Sequence, residues 1–400
     1  MTITPPPGPP WFHPDWQQRY DAIMSRQAVA ALQVTGAGQS AYNGTTVDKP
    51  TGQGSHAAWD GTIAYDQGNV ADAMRNLAAY SGQQRDPATL QWYRQAVQSM
   101  LHENSHMLTA RGDDYVHSAP YYAIDHNKAL EEGLTEAWSR AHVNDYIAAM
   151  NLEQDAPGIS GVVSRDAYPQ YTPAATALCN ELGNDTGLGG DEVMRRLNNE
   201  SVRAKWPVAA DMVFQSSGLQ HQLPVSEHNA ARLRIQHAMQ SNFNHLPSLQ
   251  GTPQQVNLGS LAAGQASAQA GRDTVNQLRA ELAQRQAQAA QLAQAQHQAT
   301  QYGSRQGAGW QQGQWQQGQW QQGQGGQHPQ GWQQGQHPPQ PGPGQQVAAP
   351  GSAQHAMSLA QSGVAPMSGA TTLGADQFGS RGDTRTGGNA AERTTPERGE

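Results

Sequence analysis

From Leu282 to Ala375 the chain carries charge only at Arg285 and Arg305, and it contains neither Ile nor Phe there. Such a segment has too little apolar surface to offset the roughly 1–2 kcal/mol per residue that ordering a backbone costs. A folded core is therefore expected only in what precedes it. Over all 400 residues the hydrophobic share is 36% and the charged share 14%, with Phe at 4 positions against 43 Gly and 24 Pro. The economical organisation is a Pro-rich arm at 1–14, one folded domain at 15–250, an Ala/Gln-rich marginal helix or weak coiled coil at 251–302, and a disordered Gln/Gly/Trp-rich tail at 303–400.

The net charge of -8 gives no electrostatic reason to expect nucleic acid, because phosphate binding needs clustered Lys and Arg. Cys179 is the single cysteine, so no intrachain disulfide forms, and a small buried apolar role is expected for it. No apolar run is long enough to span a membrane, and "MTITPPPGPPWFHPDW" lacks the basic and apolar regions of a cleaved signal. The expectation is a cytoplasmic protein, or one exported by a non-classical, specialised route. Trp310-Gln-Gln-Gly-Gln recurs from Trp315, Trp320 and Trp332. A repeat this short is low complexity, not a solenoid, and its regular Trp residues suit self-association. Two Arg-Gly-Asp triplets, at 111–113 and 381–383, are of a length expected by chance.

Helix signals dominate the first part of the chain. Asp15 to Leu32 places Trp16, Tyr20, Ile23 and Met24 on one face. A Gly/Ser/Thr/Asn-rich loop at 36–54 precedes a short strand at Trp59 to Asp66 and a helix at Asn69 to Tyr80 capped by Asn69. Asp86 and Pro87 then open a helix whose apolar series runs from Leu90 to Leu108, with Arg111-Gly112 as its stop. Another helix runs from an Asn127 cap to about Met150, and further helices start near Pro173, Glu192 and Glu227. The fold class is mainly α with a small β element.

Within the Asp86 helix lies "LHENSHML", residues 101–108. Positions i and i+4 of a helix share a face, so His102 and His106 aim their imidazoles at one point, as a borderline-soft divalent ion such as Zn2+ requires. Glu103 projects beside that point, where a carboxylate is placed to take a proton from an activated water. This is the H-E-x-x-H pattern. Uncharged Asn104 and Ser105, and apolar Met100, Leu101, Met107 and Leu108, surround it.

A catalytic zinc needs a third protein ligand. Downstream, "ALEEGLTEAW" at 129–138 makes the chain resemble the gluzincin metallopeptidases over about residues 59–150. In that family a second helix supplies a glutamate ligand. The resemblance implies a zincin-like catalytic domain, a protein or peptide substrate and Zn2+ as cofactor. Glu132 takes the ligand position, and Glu136, one turn on, accepts the other ring N–H of a zinc histidine. It further implies that Gly133 lets the motif helix and the glutamate helix approach closely, and that the strand at Gly61 to Tyr65 is the edge strand that pairs with substrate. Where the family often has Asn before the ligand glutamate, this chain has Glu131, which makes Glu131 an alternative ligand. The oxyanion-stabilising group has four candidates, Tyr115, Tyr121, Tyr122 and His228. Two competing accounts stay open: an inactive zinc-binding or scaffold protein, and a His/Glu helix pair that holds no metal.

Overall fold

In a computed structural model the backbone is described at residues 15–110 and 115–317, with side chains to residue 302. The Pro-rich arm, the triplet at 111–113, Trp320, Trp332 and the rest of the tail lie outside the described residues. The elements in chain order are α1 (Trp16–Thr35), β1 (Gln39–Ser40), β2 (Thr46–Lys49), β3 (His56–Ala57), β4 (Ile63–Asp66), α2 (Asp72–Ala79) and α3 (Pro87–His106). Next come β5 (Leu108–Thr109), α4 (Ala119–Tyr122), α5 (Asp125–Ala149), α6 (Leu152–Asp155) and α7 (Thr172–Thr186). The remaining helices are α8 (Gly190–Asn198), α9 (Lys205–Ser216), α10 (His228–Gln240) and α11 (Pro253–Gln317). The fold is mainly α with a small β element. Among the described residues no helix is long and apolar enough to cross a membrane.

The described residues fall into two units, 15–107 with 139–167, and 108–138 with 168–317. In the first, α1, α2 and α3 surround a core that includes Ile23, Met74, Leu77, Val97, Met100 and Leu101. Full burial of each such side chain contributes about 1.5–3 kcal/mol. The sheet has the order β2-β4-β3, with β4 parallel to β2 and antiparallel to β3. The strand expected to be an edge is thus central: both its edges are paired and all four of its residues are buried, so it cannot accept an added substrate strand. The apolar "IAYD" marked a strand, but its partner β2 lies in the segment read as loop.

Asp66 ends β4 and organises the turn into α2. Its Oδ1 accepts from the Asn69 amide at 2.8 Å, and its Oδ2 accepts from Gly52 and Gly54 amides at 2.6 and 3.2 Å. Asp66, not Asn69, is the cap, and a π-helical turn at Gln67–Ala71 leads into α2. At α3 the Asp86 carboxylate accepts from the amides of Ala88 and Thr89, both at 3.0 Å, with Pro87 in the first turn. The helix ends at His106, before Arg111-Gly112, because Met107 caps it and Leu108 enters β5. Arg94 ties α3 to the second half of α5 through Asn144 Oδ1 at 2.6 Å.

The second unit is helical. Asn127 does not cap α5; it lies inside it and donates to the Tyr121 carbonyl at 2.9 Å. Trp206 of α9, a helix without a sequence signal, packs edge-on to Phe243 at 5.0 Å. The first part of α11 belongs to this packing. Ser260, Ala263, Ser267, Ala268 and Val275 are buried, Ser260 Oγ accepts from the Ala174 amide at 3.0 Å, and Ser267 donates to the Met239 carbonyl at 2.8 Å. The domain boundary expected at 250 cuts through this contact. Up to residue 268 the buried stripe is made of small residues, with the larger Val275 and Leu278 only further along, so a hydropathy pattern does not see its first part. The helix also runs on through 303–317, past the expected start of the tail, with Trp310 and Trp315 on its backbone.

Candidate metal centre

The last two turns of α3 are buried on every side: Met100, Leu101, His102, Glu103, Asn104, Ser105 and His106 all lie out of solvent. Polar side chains do not sit in such a place without partners. Asn104 Nδ2 donates to Gln27 Oε1 at 3.1 Å, to the Tyr65 hydroxyl at 3.3 Å and to the Met100 carbonyl at 2.8 Å. Tyr65 in turn donates to Gln27 Oε1, and Tyr146 donates to the Gln27 carbonyl at 3.1 Å. This buried network sets the rotation of α3. Burial first, then the neighbouring Tyr146 and Glu103 charges, push the Tyr65 hydroxyl well above its usual range, so it stays a proton donor.

His102 and His106 turn their Nε2 atoms toward each other at 3.1 Å, with the rings nearly perpendicular at 81°. Glu132 of α5 completes a group: one potential ligand atom from each of His102, His106 and Glu132 lies within 4.8 Å of the others. Two nitrogens bound to a tetrahedral ion at about 2.0–2.1 Å stand roughly 3.3 Å apart, close to the separation found. The donor set of two imidazole nitrogens and one carboxylate oxygen also suits a borderline-soft divalent ion. The residues present therefore fit a metal. His102, Glu103, His106 and Glu132 are 4%, 3%, 2% and 0% exposed.

The two adjacent glutamates part company. Glu131 pairs with Lys205 Nζ at 3.2 Å, and that ammonium also donates to the Leu197 carbonyl at 3.2 Å. Glu132 is the carboxylate of the group, and its Oε1 accepts from the Tyr122 hydroxyl. Burial, and after it the charge of Glu132, push the Tyr122 hydroxyl well above its usual range, so Tyr122 is the donor. Glu136 is buried one turn further along α5. Gly133 faces another neighbour than expected: a Cβ there would stand 2.7 Å from the Tyr171 carbonyl and 2.9 Å from Ala175 Cβ, so it is α7 that approaches closely.

Of the four oxyanion candidates, Tyr122 is bonded to Glu132, Tyr115 is buried and Tyr121 is 44% exposed. His228 contacts the Leu223 carbonyl at 3.1 Å and lies edge-on to Phe214. Sequence reasoning missed Lys205 and the linking role of Asn104, because Lys205 belongs to no motif, Asn104 fills an unspecified position of one, and the partners of both are distant in the chain. Cys179 is fully buried, and burial pushes its thiol up, which leaves it inert. Set beside protein families, curated proteins and solved structures, the chain matches none of them.

Proposed function

We propose that the protein is a zinc metallopeptidase that hydrolyses peptide bonds. The observation that carries this reading is the convergence of His102, His106 and Glu132, with Glu103 on the same helix as the two histidines. His102 and His106 would hold the ion through imidazole nitrogen and Glu132 through carboxylate oxygen. When bound, zinc lowers the pKa of a water and polarises the carbonyl under attack. Glu103 takes the proton of the attacking water and passes it to the leaving amine. Its buried setting on α3 keeps bulk water from competing for that proton. Glu136, by the gluzincin resemblance, accepts a ring N–H from one histidine and fixes its tautomer.

A second reading is favoured by the burial of all four residues. Structural zinc sites are closed, whereas catalytic ones keep an open position. A scaffold protein with a structural zinc fits that observation. Incubating the full-length chain with a random peptide library, with and without a zinc chelator, separates the two. The peptidase reading predicts chelator-sensitive cleavage, and predicts that Glu103→Gln keeps its metal while turnover drops by about 10²–10⁴. Metal-loaded protein that cleaves nothing, and that unfolds when chelated, supports the scaffold.

A further inference from the structure

We propose that Tyr122 restricts Glu132 to coordination through a single oxygen, which makes the centre four-coordinate and selects a tetrahedral ion such as zinc over larger, oxygen-preferring ions. The inference rests on the metal reading above and adds a residue that sets which metal is taken. A carboxylate meets an ion with one oxygen or with two, and the second mode raises the coordination number toward that of Ca2+ or Mn2+. The Tyr122 hydroxyl donates to Glu132 Oε1. A hydrogen bond donated to that oxygen withdraws its electron density and locks the rotation of the carboxylate, so the ion is met by the other oxygen.

The hydroxyl is held in place before any ion arrives. Tyr122 is 6% exposed and ends α4, close in sequence to the start of α5. Asn127 of α5 donates to the Tyr121 carbonyl at 2.9 Å, and the Lys128 ammonium lies over the Tyr122 ring at 5.6 Å. Both contacts come from the helix that carries Glu132, so the donor and its acceptor are built on one frame. The Lys205 bond holds Glu131 separately, which prevents the adjacent carboxylate from supplying a substitute oxygen.

The test compares full-length wild type and Tyr122→Phe, which removes only the hydroxyl, after checking by circular dichroism that both are folded. Zinc affinity is measured by competition with a chromophoric chelator, and coordination number by the visible absorption of the cobalt(II)-loaded proteins. We expect zinc binding to weaken by roughly 10–100-fold in the variant, as for loss of other groups that orient a ligand. We also expect the intense absorption of four-coordinate cobalt to give way to the weak bands of a higher coordination number. Unchanged affinity and an unchanged cobalt spectrum would overturn the proposal while leaving the metal reading intact. A folded wild type that binds no zinc overturns the metal reading itself. Should Tyr122→Phe not fold, X-ray absorption of the zinc-loaded wild type decides: four nearest ligand atoms support the proposal and five or more overturn it.

Discussion

Lys205 and Glu131 form an ion pair at 3.2 Å in which both side chains are 2% exposed. The pair fixes the rotation of α5 at the position next to Glu132. Removing one partner leaves the other charge buried, and Lys205→Ala is expected to cost about 3–5 kcal/mol of stability. The double variant Lys205→Met/Glu131→Leu is expected to recover most of that loss. Urea unfolding of the three proteins measures both effects, and a Lys205→Ala midpoint equal to wild type would show that the pair does not bear on stability.

Asn104 holds the motif helix through Gln27 and Tyr65. Asn104→Leu leaves the Tyr65 and Gln27 groups without this donor in a buried place and should cost about 1–3 kcal/mol. Tyr65→Phe should give an effect in the same range, and the double variant less than the sum of the two. Thermal melts of the single and double variants give the coupling; strictly additive losses would mean the two residues act apart.

Gly264 of α11 meets α7 so closely that a Cβ there would stand 2.1 Å from the Ala174 carbonyl. Gly264→Val is therefore expected to destabilise by about 1–3 kcal/mol or more, through forced separation of the helices. Ending the chain at residue 250 should broaden or abolish the cooperative melt, whereas ending it at Tyr302 should not. A chain of residues 1–250 that melts like the full protein would show that α11 is dispensable.

His56 accepts from the Lys49 ammonium, its Nδ1 lying 2.9 Å from Nζ. Burial first, and the Lys49 charge second, lower its pKa from 6.5 to about 4. The unfolded chain thus binds more protons between these values, so this group's contribution is present above pH 6.5 and is lost as pH falls toward 4. His56→Gln should lose less stability than wild type across that window. Parallel denaturant curves at several pH values report the difference, and identical pH slopes would rule His56 out.

Much of this was legible in the chain. Asp86-Pro87 marks the start of α3, and the four-residue spacing of His102 and His106 places both on one face, because capping and helical periodicity are local. What the sequence hid depends on distant partners. Glu131 and Glu132 are equivalent neighbours until Lys205 engages one of them. The gluzincin resemblance implied an edge strand at Gly61 to Tyr65, and nothing local corrected it, because its partner β2 lies in a Gly/Thr-rich segment without alternation. Helix α9 is masked by Pro207, a breaker in general but tolerated in a first turn, where its missing N–H is not needed. The stripe of Ser260, Ala263, Gly264, Ser267 and Ala268 is made of small residues with little apolar surface, and close approach of backbones is its signature.

The metal content of the purified full-length chain, prepared without added zinc and set beside Glu132→Ala, decides whether His102, His106 and Glu132 hold an ion. About one zinc per wild-type chain is expected, with a sharp reduction in the variant. Folded wild type without metal would contradict that expectation and leave His102 and His106 as a hydrogen-bonded pair.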